Sequence, residues 1–104
     1  MLRRMHVISI KMLRDFWSKH PAAESVLRQW HAIVENTEFK DFAHIKEFFN
    51  SADYVPPYIV FDVAGNNYRV IVVVQYRSKR VYVREVMTHK EYDKWSKLYR
   101  KGNV

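Results

Sequence analysis

Four side chains in the last third of the chain could share one piece of chemistry: Arg69, His89, Lys90 and Tyr92. They supply a guanidinium, an imidazole, an ammonium and a phenol, with no carboxylate cluster beside them to hold a divalent metal. That set suits metal-free cleavage of RNA. In such a reaction a base takes the proton of a 2′-hydroxyl, which attacks the adjacent phosphate. A cation then stabilises the phosphoryl oxygens, and an acid protonates the leaving 5′ oxygen. His89 could serve as acid or base, Arg69 as the phosphoryl clamp, Lys90 as supporting charge, and Tyr92 as a proton-transfer or base-stacking group. Asn66, Asn67, Arg84 and Lys94 are further candidates for contact with RNA.

Each of these residues also has an ordinary explanation. Arg69 could simply pair with Asp62 across a hairpin, and Tyr92 fits an apolar stripe with Trp95 and Tyr99. Asn66 and Asn67 are common turn residues. His89 is the one least accounted for by structure, being a titratable side chain at an exposed helix start. The remaining histidines, His6, His20, His31 and His44, show no ligand spacing, so neither a metal nor a cofactor is expected.

Charge is distributed in a way that supports a phosphate-binding role. Residues 1 to 68 carry eight basic against eight acidic side chains, so the net charge of +7 lies wholly in residues 69 to 104. A basic surface of that kind binds polyanions by releasing their counterions, although it can also serve only to keep a small domain in solution. The absence of cysteine excludes disulfide scaffolds, thiolate metal sites and cysteine nucleophiles, and fits a reducing cytoplasmic setting. No apolar run approaches the length of a membrane span, and Lys11 interrupts the stretch that could otherwise pass for a signal peptide. With 104 residues, 48% of them hydrophobic, and only two glycines, the chain reads as a single domain over residues 1–104 with a sizeable core.

The elements that must position the candidate residues follow from periodicity. His6 to Ile10 is short and β-branched, an edge strand. Met12, Leu13, Phe16 and Trp17 then recur at helical spacing until Pro21. A second helix starting at Pro21 carries the stripe Val26, Leu27, Trp30, Ile33 and Val34. The aromatic residues of these helices, Trp17 and Trp30 among them, are read as core rather than as a partner-binding surface. A shorter helix runs from the cap Asp41 to Phe49. Beyond Pro56-Pro57 the period becomes extended: Tyr58 to Val63, a turn at Ala64-Gly65-Asn66-Asn67, Tyr68 to Tyr76, a second turn, and Val81 to Met87. These three strands form an antiparallel meander with the apolar Val70 to Val74 at its centre. Thr88-His89-Lys90-Glu91 has capping-box spacing and opens a last helix through Tyr92, Trp95 and Tyr99.

The meander brings the candidates together. Arg69 should face Asp62 on one neighbour and the region of Thr88 on the other, give or take a residue. The Asn66-Asn67 turn, Arg69, and His89 to Tyr92 then share one end of the sheet. A helix N-terminus opens there and should itself attract anions.

The run from Tyr58 to Val72, which contains Gly65-Asn66-Asn67-Tyr68-Arg69, and the run Val81 to Asp93, which contains Thr88-His89-Lys90-Glu91-Tyr92-Asp93, resemble the HigB family of toxins from type II toxin–antitoxin systems. The similarity extends over nearly the whole chain from Met5, so Met1 to Arg4 reads as an N-terminal extension. The family belongs to the RelE-like superfamily. The resemblance implies a compact α+β fold, with N-terminal helices on a small antiparallel sheet and a short C-terminal helix. It also implies mRNA interferase activity on translating ribosomes. The implied partners are a HigA antitoxin with a helix-turn-helix domain, mRNA and the ribosome, with operator DNA reached only through the antitoxin. By motif, Arg69 matches the arginine that contacts the scissile phosphate, while His89 and Tyr92 fall where such enzymes place proton-transfer and stacking groups. Val60 and Asp62 stand where RelE has two lysines, so its proton-transfer scheme cannot be copied. The alternative is a non-catalytic RNA- or ribosome-binding module whose basic third only grips phosphates.

Overall fold

The protein is described by a computed structural model covering residues 4–103, so the proposed extension lies, but for Arg4, outside the described residues. The elements in order are β1 (His6–Ile8), α1 (Ile10–Lys19), α2 (Glu24–Asn36), α3 (Phe42–Phe48), β2 (Asp53–Val55), β3 (Tyr58–Val63), β4 (Tyr68–Gln75), β5 (Arg80–Thr88) and α4 (His89–Arg100). Helix α1 stops short of Pro21, whose missing N–H and ring cannot continue it. Residues Pro21–Ala23 form a 3₁₀ turn before α2, so the second helix proper starts three residues later than expected. Asp41 caps α3 by accepting from the His44 N–H at 2.8 Å.

The strands form one sheet in the order β1-β5-β4-β3-β2. The expected meander β3-β4-β5 is its centre, and Asp62 lies opposite Arg69 as the hairpin arithmetic requires. At the β3–β4 turn, Ala64 and Gly65 take φ values of 54° and 66°, the left-handed region where a residue without Cβ is favoured. Two features go beyond the expected sheet. The edge strand β1 joins β5 in parallel, which makes the sheet mixed, and β2 adds a short antiparallel strand at the other edge. The β4–β5 register also shifts between Ile71 and Val72, whose partners are Glu85 and Val83, leaving Arg84 as the extra residue of a bulge.

Alternation along the strands gives the sheet two apolar faces. Ile59, Phe61, Val63, Val70, Val72, Val81 and Val83 pack under α1 to α3 with Leu13, Phe16, Leu27, Trp30, Val34 and Ile45. Met12 and Trp17 are partly buried against this core, as expected of core residues. Val60 and Ile71 point the other way, toward Trp95 of α4. Arg69, two residues before Ile71, shares that second face. Among the described residues no helix is long and apolar enough to cross a membrane.

Candidate active site

Arg69 is buried at the end of β4, its side chain only 7% exposed. Its Nε lies 3.0 Å from Asp62 Oδ1 on β3. Nη1 donates to the carbonyls of Asn66 at 3.2 Å and Tyr68 at 3.1 Å, and Nη2 donates to Asn66 Oδ1 at 2.5 Å. The second Nη2 proton is directed at His89 Nδ1, 3.1 Å away. Arg69 is thus the cross-strand partner of Asp62, as its ordinary explanation requires, and it also touches the histidine.

His89 is the first residue of α4, follows directly on the last residue of β5, and is exposed. Its N–H donates to the Asn67 carbonyl at 2.9 Å, tying the helix start to the β3–β4 turn. Thr88 and Glu91 complete a capping box, the Thr88 hydroxyl accepting from Glu91 N–H at 3.2 Å and the Glu91 carboxylate accepting from Thr88 N–H at 2.9 Å. These bonds use the N–H groups of Thr88, His89 and Glu91. The helix start is thus a cap that holds His89 in place.

Tyr92 lies one turn on, its ring 5.4 Å from the Arg69 guanidinium and stacked on Trp95 at 5.8 Å. Trp95 in turn stacks on Tyr99. Burial pushes the Tyr92 phenol above its ordinary value of 10.0, and the Asp53 carboxylate adds to the push while Arg69 opposes it. At neutral pH Tyr92 is therefore a protonated phenol that can donate and stack. It also packs against the apolar cluster under α4, so its packing role and its place beside Arg69 coincide.

The other candidates divide. Asn67 reaches the site through its carbonyl, and Asn66 through a side chain whose oxygen is already bonded to Arg69, which makes it a holder of Arg69. Lys90 and Lys94 are exposed on α4 and, among the described residues, form no ion pair. Arg84 stands apart. Its guanidinium lies 5.3 Å over the ring of Tyr82, whose strand partner Val73 is four residues, roughly 13 Å, along β4 from Arg69.

A family model described as HigB_toxin, RelE-like toxic component of a toxin-antitoxin system, matches residues 23–95. The chain belongs to the HigB toxin family. It is 37% identical over 99 residues to the mRNA interferase toxin HigB of Escherichia coli (strain K12), covering 92% of this chain and 95% of that one. The mRNA interferase HigB of Shigella flexneri gives the same figures. The HigB of Escherichia coli O6:H1 (strain CFT073), also an mRNA interferase, is 31% identical over 101 residues, covering 94% and 98% of the two chains.

The HigB match contains the whole meander and every residue around Arg69, and it ends at Trp95, which packs α4 onto the sheet. Sequence reasoning did not single out one neighbour of His89. Asp93 brings Oδ2 to 3.7 Å from His89 Nε2. Its i, i+4 spacing from His89 on a helix was the available signal.

Proposed function

We propose that this HigB-family chain, like the relatives named above, is an mRNA interferase: an endoribonuclease that cleaves messages by attack of a 2′-hydroxyl on the adjacent phosphate, without a metal. It acts in the cytoplasm on translating ribosomes and is held inactive by a HigA-type antitoxin with a helix-turn-helix domain, through which alone it reaches operator DNA. The observation that carries this reading is the pairing of Arg69 with His89, which sets a half-exposed imidazole on a fixed cationic support. Beside it runs α4, whose exposed Lys90, Lys94, Lys97 and Arg100 supply the field that a nucleic-acid backbone follows. On this reading His89 and Tyr92 meet the RNA, and Lys90 and Lys94 hold its phosphates.

Primer extension on cellular mRNAs after brief induction, at matched expression, tests this. The wild-type protein should give discrete cuts inside coding regions and His89→Ala should give none. Intact messages with both proteins would leave a non-catalytic RNA- or ribosome-binding module.

A further inference from the structure

Arg69 has five N–H groups, and each has an acceptor inside the protein: Asp62 Oδ1, the Asn66 and Tyr68 carbonyls, Asn66 Oδ1 and His89 Nδ1. With the side chain 7% exposed and the Tyr92 ring alongside, a phosphate arriving at this site meets a guanidinium with no donor left to offer. His89 is different, its side chain being 47% exposed. A guanidinium cannot accept a hydrogen bond, so Nδ1 is the acceptor of the pair and the proton of the neutral imidazole sits on Nε2. At 3.7 Å, Asp93 Oδ2 is beyond hydrogen-bonding distance of Nε2. The Nε2–H therefore remains available.

We infer that His89 acts as a neutral hydrogen-bond donor, through Nε2–H, to a phosphoryl oxygen of the RNA. Arg69 is the positioning residue that fixes this tautomer, and Asp62 is its counter-charge. This rests on the nuclease reading above. As the bond from the 2′ oxygen to phosphorus forms and the bond from phosphorus to the 5′ oxygen breaks, negative charge grows on the phosphoryl oxygen and the Nε2–H bond to it strengthens. The proton leaving the 2′ oxygen goes to water and the one taken by the 5′ oxygen comes from water. His89 keeps its own proton throughout.

Glutamine separates this role from proton transfer, because its amide nitrogen can stand where Nε2 stands and donate, yet neither takes nor gives a proton at neutral pH. Single-turnover cleavage of a defined message by the purified protein on programmed ribosomes should fall about 10²–10³-fold in His89→Ala and stay within roughly tenfold of wild type in His89→Gln, where a neutral hydrogen bond is kept. Glutamine as slow as alanine, or alanine as fast as wild type, would overturn the inference while leaving the nuclease reading intact. A wild-type protein that cuts nothing would end both. Nitrogen-15 shifts of the His89 ring give a readout free of activity. Nδ1 should appear as the unprotonated nitrogen at neutral pH, and the opposite tautomer overturns the inference. Arg69→Met should lose the preference; if that variant does not fold, the wild-type spectrum decides.

Discussion

One face of the sheet lies under α1, α2 and α3 and shares with them a continuous core that includes Leu13, Leu27, Trp30, Phe39, Ile45 and Phe61. The other face lies under α4 alone, around Val60, Ile71 and Trp95. The first is deep enough to hold the fold together. The second is so shallow that a guanidinium, an imidazole and a phenol can stand at its margin, each with one end in the packing and, for His89, the other in solvent. The deep core and the candidate site thus lie on opposite sides of the same five strands, with β4 supplying Val70 and Val72 to one and Arg69 and Ile71 to the other.

The widest gap between the faces should appear on cutting into each. Leu27→Ala, at a fully buried position, is expected to cost about 2–5 kcal/mol and to lower the midpoint of a denaturant melt with little selective effect on cleavage. Trp95→Ala should do the reverse, lowering cleavage strongly and releasing the amides of α4 to hydrogen exchange well before those of β4. Equal exchange protection of α4 and β4 in that variant would mean that the two faces unfold as one unit. A smaller effect follows from the helix start: Thr88→Ala removes one half of the capping box and should cost about 1 kcal/mol, read as faster exchange at the Glu91 amide.

The smallest effect is a pH dependence common to both faces. Burial raises the Tyr92 phenol on the α4 side, and burial together with Asp41 raises the Tyr76 phenol at the end of β4. Both folded-state values lie above the unfolded 10.0, so the folded protein binds these protons more tightly. Their contribution is fully present below pH 10 and is lost as pH rises through the raised values. Thermal melts between pH 8 and 11 should show this decline, and Tyr92→Phe should shrink it; an unchanged slope would remove Tyr92 from the account.

What could be read from the sequence was set by local rules. The turn around Gly65, the alternation of β3 and β4, and the Thr88 to Glu91 spacing each depend on a few consecutive residues, and together they put Asp62 opposite Arg69 and His89 at the helix start. Strand β2 escaped because it has only three residues, two of them exposed, and only pairing with β3 makes them a strand. A β-branched run at His6 announces an extended segment but not that it lies parallel to β5. The role of Asn66 and the complete use of the Arg69 donors were equally out of reach. Both depend on how the turn folds back over the guanidinium, which no spacing encodes. The bulge and the Tyr82 ring, which set where the Arg84 guanidinium lies, were likewise not encoded in its position or charge.

Helix α4 is fastened at two points. The capping box holds its first turn to the end of β5, and eleven residues beyond Thr88 the Tyr99 hydroxyl donates to the Pro56 carbonyl at 2.6 Å. Between such anchors a helix has no slack: one residue added or removed turns everything beyond it by about 100°. The far anchor would then miss Pro56, and Trp95 or His89 would face the wrong way. The outward positions Lys90, Lys94 and Lys97 take no part in either anchor, so the fold fixes this segment in length and leaves its charge to the proposed contact with RNA.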